Sequence, residues 1–131
     1  MTITDSYLNI VRHTDGMDVS PEVKVAIHTL NALSQMAHQT ATEKGFYEFD
    51  RNQGEIIALV HSELSEALEA LRQGNPPDKH LPEFTSIEVE YADAVIRIFD
   101  TCAANGYRLG AAIIAKMQYN QQRPPKNGKL F

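Results

Sequence analysis

Two stretches of the chain, HSELSEALEALRQG at residues 61–74 and EVEYADAVIRIFD at residues 88–100, each lay an acidic pair over an apolar stripe. Leu64, Ala67, Leu68 and Leu71 recur at three- and four-residue steps, as do Val89, Ala92, Val95, Ile96 and Phe99. That period predicts two amphipathic α-helices. Glu63 and Glu66 on the first, and Glu90 and Asp93 on the second, are three residues apart. Three residues turn a helix by about 300°, so each pair sits on one face, one turn apart. Helices packed side by side would bring four carboxylates into one small volume, where mutual repulsion raises their pKa values. A hard divalent cation such as Mg²⁺ or Mn²⁺ relieves that repulsion by taking the carboxylate oxygens as ligands. A Glu-x-x-Glu pair is also the ordinary pattern of a solvated helix face. Spacing alone leaves both readings open.

The remaining chain predicts two more helices. Ser20-Pro21 is a cap followed by proline at the first helical position. The helix it opens runs to about residue 44 on a stripe of Val23, Ile27, Leu30, Leu33 and Ala37, and Gly45 ends it. The helix carrying Glu63 spans about residues 52–73, capped by Asn52 and ended by Gly74. GNPPDKHLPEF is a loop by its prolines and glycine, and Pro82 or Ser86 opens the helix that reaches Asn105. Asn105-Gly106 is a stop, so a fourth helix starts near Leu109, with Leu109, Ala112, Ile113 and Met117 as its stripe. Residues 1–20 read as a short helical turn or loose arm, with Thr4 as a cap and Gly16 as its end; residues 123–131 read as an irregular basic tail. The expected fold is a single all-α domain over residues 1–131, a four-helix antiparallel bundle. AVIRIF and GAAIIA are apolar on more than one side, which predicts a homodimer or a dimer of dimers.

Charge divides unevenly along the chain. The net charge is −5, which argues against a duplex nucleic-acid binder. Residues 101–131 hold Arg108, Lys116, Arg123, Lys126 and Lys129 and no acidic residue, leaving 7 basic and 17 acidic residues, net −10, to the first hundred. An acidic body with a basic arm suits a cation-chelated polyanion, and equally an arm that neutralises the body. No apolar run approaches the ~18 residues of a membrane span, and the N-terminus lacks the pattern of a signal peptide. The single cysteine, Cys102, excludes an internal disulfide, fits a cytoplasmic setting, and lies on an apolar helix side as a buried thiol. Phe46, Tyr47 and Phe49 are either loop anchors at one end of a bundle or a stacking platform for a planar ligand. Arg97 lies one turn beyond Asp93, placed to meet a phosphate oxygen or to pair with Glu90 or Asp93. Glu69 extends the acidic row as a supporting or solvated carboxylate.

Glu63-x-x-Glu66 followed by Glu90-x-x-Asp93, with Lys116, Asn120 and Arg123 downstream and the closing segment KMQYNQQRPPKNGKLF, resembles the MazG-like all-α nucleotide pyrophosphohydrolases. The likeness runs from about His38 to the C-terminus. It implies that Glu63, Glu66, Glu90 and Asp93 bind Mg²⁺ and form the catalytic group. It also implies that nucleoside triphosphates are cut to monophosphate and pyrophosphate. Lys116, Arg123 and Arg97 would bind phosphate, and Asn120 would orient ribose, phosphate or a neighbouring ligand. The spacing of His38, Tyr47 and Glu63 is similar to the dCTP pyrophosphatase branch, which implies that His38, Tyr47 and the adjoining Phe46 hold the base; Tyr47 stands where tryptophan is commoner there. Two other classes are measured against this one. A ferritin-like carboxylate bundle needs Glu-x-x-His, and no glutamate here has histidine three residues on. A non-catalytic helical interaction protein would share the fold without the reaction.

Overall fold

The computed structural model describes residues 19–131, so the arm with Thr4 and Gly16 lies outside the described residues. Four helices follow in order, α1 (Pro21–Glu43), α2 (Gln53–Arg72), α3 (Ser86–Asn105) and α4 (Leu109–Gln121). Among the described residues there is no strand, only an isolated bridge between Pro77 and Thr85. The chain is all-α. No helix among these residues is long and apolar enough to cross a membrane.

The local signals act where the sequence places them. Ser20 Oγ accepts the Val23 N–H at 3.4 Å, and Asn52 Oδ1 accepts that of Glu55 at 3.0 Å. Gly74, at φ 84°, turns the chain out of α2 through a conformation that suits only a residue without Cβ. The third helix opens at Ser86; Pro82 belongs to the loop before it. Tertiary bonds decide this: the Ser86 N–H and Oγ both donate to Pro76 O at 2.8 Å, and Asn75 Oδ1 accepts the Ile87 N–H at 2.9 Å. Asp78 Oδ2 ties the loop from within, accepting the N–H groups of His80 and Leu81 at 2.8 and 2.9 Å. The tail, expected to be irregular, forms one short 3₁₀ turn at Pro125–Gly128, with Lys126 and Asn127 at positive φ.

The fold divides into two compact units. One is Ser34–Asn105, in which α2 and α3 pack on each other. The two run antiparallel, since Pro76 meets Ser86 at one end while Glu63 meets Arg97 further along. The other unit joins the described residues up to Leu33 with Gly106–Phe131. Within it α1 and α4 approach closely at Gly110, whose N–H donates to Asn31 Oδ1 at 3.3 Å, and Ile27 is 0% exposed.

The apolar stripes are buried only in part. Ile56, Ala67, Ala70, Ala94 and Cys102 are buried on α2 and α3, whereas Leu64, Leu68, Leu71, Val95 and Ile96 stand 44–53% exposed. Apart from Ile56, the buried apolar residues of these helices are small, and most of the larger ones lie on an apolar surface wider than one neighbouring helix covers. On the other unit Met117 is exposed too, as is Leu33 on α1.

Candidate metal centre

Helical phase brings the acidic residues together. Glu63 projects from the middle of α2, buried; Glu90, half-buried, and Asp93, exposed, come from adjacent turns of α3. One carboxylate oxygen from each of these three lies within 4.8 Å of the others. Glu66, the fourth expected member, is exposed on the next turn of α2, near enough for its charge to act on Glu90. Burial raises the Glu90 pKa, and the charges of Glu66, Asp93 and Glu63 push it further. Asp93 is raised by burial and then by Glu63, with Arg97 opposing and Asp78 of the connecting loop adding to the rise. Carboxylate oxygens are hard donors, the kind that hard divalent cations take as ligands. Cys102 offers no softer alternative, since it is buried and its thiol is pushed up by that burial.

Arg97 is placed differently from expectation. Its Nε donates to Glu63 Oε1 across the helix pair at 2.6 Å, rather than to Glu90 or Asp93 on its own helix. Those two precede it along one strip of α3, whereas Glu63 faces it from α2. Glu69 turns outward, to Gln73 at 3.1 Å and Arg72 at 3.9 Å.

A second cluster gathers around Asp100, a buried carboxylate absent from the residues singled out in the sequence. Asp100 Oδ1 accepts the Tyr47 hydroxyl at 2.7 Å and the His38 Nδ1–H at 3.0 Å, while Oδ2 faces an Arg51 nitrogen at 3.7 Å. The His38 and Tyr47 rings meet edge to face with centroids 4.6 Å apart, and the Arg51 guanidinium lies 5.5 Å from the Tyr47 ring and 5.6 Å from that of Phe46. Burial and then the bond to Asp100 push the Tyr47 phenol up to about 12, so it stays a donor at neutral pH. The other ring nitrogen of His38, Nε2, makes no hydrogen bond among the described residues. Phe46 is exposed and Phe49 is 84% exposed, so neither is a buried anchor.

One signal for Asp100 was present. Glu90, Asp93, Arg97 and Asp100 follow one another at steps of three, four and three, a single polar row on α3. Seven residues of helix carry that row about 10 Å from Asp93 to Asp100. Arg51, in the loop before α2, had no such signal.

Lys116 and Asn120 lie on α4, and Arg123 follows it, in the other compact unit. The Lys116 ammonium is 4.7 Å and the Arg123 guanidinium 5.6 Å from the Tyr119 ring, so two cations share one aromatic face or its surroundings. Asn120 is exposed. No family model, curated protein or solved structure matches the chain.

Proposed function

We propose that this chain is a Mg²⁺-dependent nucleoside triphosphate pyrophosphohydrolase of the MazG-like kind, converting a nucleoside or deoxynucleoside triphosphate and water to the monophosphate and pyrophosphate. The observation that carries the reading is the convergence of Glu63, Glu90 and Asp93 from two packed helices. These three would hold Mg²⁺, or Mn²⁺, with Glu66 steadying Glu90 or completing the set. Bound there, the ion supplies positive charge to the triphosphate and acidity to a water molecule. Arg97 supplies donors to the phosphate oxygens, where charge builds as the α-phosphorus is attacked and pyrophosphate leaves. His38, Tyr47 and Phe46 hold the base, with Asp100 fixing the first two.

The working form in this reading is a homodimer or dimer of dimers in the cytoplasm, with the exposed leucines of α2 covered by another copy. That same apolar surface favours the second reading, a non-catalytic helical interaction protein. A panel of ribo- and deoxynucleoside triphosphates, incubated with Mg²⁺ and analysed for products, separates them. Monophosphate and pyrophosphate are expected. Diphosphate and orthophosphate as first products would contradict the proposed reaction, and no turnover of any triphosphate would favour the interaction protein.

A further inference from the structure

The shortest ion pair among the described residues joins Arg97 Nε to Glu63 Oε1 at 2.6 Å. It is a single bond through Nε; the other guanidinium N–H groups have no hydrogen-bond partner among the described residues. Glu63 Oε1 therefore carries a cation already, in a group of carboxylates close enough to share one. Arg97 is the positive charge this acidic group has in the absence of a metal ion. A divalent ion at the same carboxylates would sit against the guanidinium, and like charges at that range repel strongly. Arg97 is 35% exposed on a long flexible stem, so it has somewhere to go.

We infer that Arg97 is an exchangeable counter-cation: it neutralises Glu63 in the metal-free protein, leaves when the divalent ion binds, and then offers its planar fork to a phosphate. This rests on the cation-binding reading above and deepens it by linking the two ligands. Bidentate contact with phosphate suits a guanidinium released from a monodentate pair. Metal binding and phosphate binding thus share one side chain, and the coupling between them is reciprocal.

Two measurements on the full chain test the exchange. In ¹H–¹⁵N spectra of the metal-free protein, the Arg97 Nε–H resonance should be shifted and slow to exchange with solvent, and saturating Mg²⁺ should abolish both properties. The second is a Mn²⁺ titration without nucleotide, followed by electron paramagnetic resonance, on wild type and Arg97→Met, which keeps the apolar stem. The variant should bind Mn²⁺ more tightly, on the order of tenfold, within the usual range of site–site coupling. Its Mn²⁺-loaded form should bind inorganic tripolyphosphate more weakly than loaded wild type. An Nε–H resonance unmoved at Mg²⁺ saturation, or Mn²⁺ affinity unchanged or weakened in a folded Arg97→Met protein, would overturn the exchange while leaving the cation site intact. Absence of Mn²⁺ binding to wild type would remove the cation site, and the exchange with it. The spectral experiment needs no variant, so it decides the matter even if Arg97→Met does not fold.

Discussion

Asp93 is open to solvent as a residue, yet its carboxyl is crowded on one side by protein and by Glu63. A carboxyl raised in the folded state binds its proton more tightly there than in the unfolded chain. Its contribution therefore favours the fold at low pH and fades as pH rises from the ordinary carboxylate range, about 4, through the raised value. Glu90 acts in the same direction. Asp78 acts in the opposite one: bonds from the Leu81 and His80 N–H groups lower its pKa, so its contribution is lost on acidification. In chelator at pH 7, Asp93→Asn should be at least as stable as wild type in thermal melts, and that advantage should shrink as pH falls through the carboxylate range. With Mg²⁺ the order should reverse, because ligand stabilisation follows RT ln(1 + [L]/Kd) and the variant's Kd is larger. Turnover should fall by about 10²-fold or more as the reacting groups lose alignment. A solvated face predicts instead a stability change under about 0.5 kcal/mol and no effect of Mg²⁺.

At the scale of helices, the close approach of α1 and α4 hangs on Gly110. A Cβ built there would lie 2.8 Å from the Ile27 carbonyl oxygen and 2.9 Å from Asn31 Oδ1. Alanine gains about 1 kcal/mol of helix propensity over glycine, but overpacking against a backbone atom costs about 1–3 kcal/mol. Gly110→Ala should thus lower stability in urea unfolding, by up to about 2 kcal/mol; a stabilised variant would show that the seam can open at no cost. Helix limits were largely legible because their causes are local: Ser20-Pro21, Asn52 and Asn105-Gly106 each act within a turn. The start of α3 was narrowed only to Pro82 or Ser86, since the choice of Ser86 depends on bonds to Pro76 and Asn75, 10 and 12 residues back. The acidic pairs could be read from period alone. The partners of Asp100 could not: Tyr47 and His38 are 53 and 62 residues away, a distance only the folded chain closes. Arg97 was legible as an ion-pair residue, but its partner on the facing helix was not. Periodicity likewise marked Leu64, Leu68 and Leu71 as an apolar face without saying what covers it.

For the molecule as a whole, that uncovered face is the main debt. Leu64, Leu68 and Leu71 exposed on α2, with Val95 and Ile96 on α3, are more apolar surface than a lone soluble subunit ordinarily presents. Light scattering at micromolar concentration should give a mass above that of one 14.6 kDa chain. Leu68→Glu, at a position 51% exposed, should shift the protein to monomer with its helical circular dichroism intact. A monomeric wild type would rule out self-association as the cover. The two compact units also differ in how the ribosome delivers them. Ser34–Asn105 is one unbroken segment, complete before the last helix is made, whereas the other unit has to wait for Gly106–Phe131. Asn31 meets Gly110 across 79 residues of sequence. At roughly 5–20 residues per second, that is a delay of about 4–16 s. In order of synthesis, then, the segment bearing Glu63, Glu90 and Asp93 is complete before α4 is made, and Ile27 waits on the last helix for its neighbour.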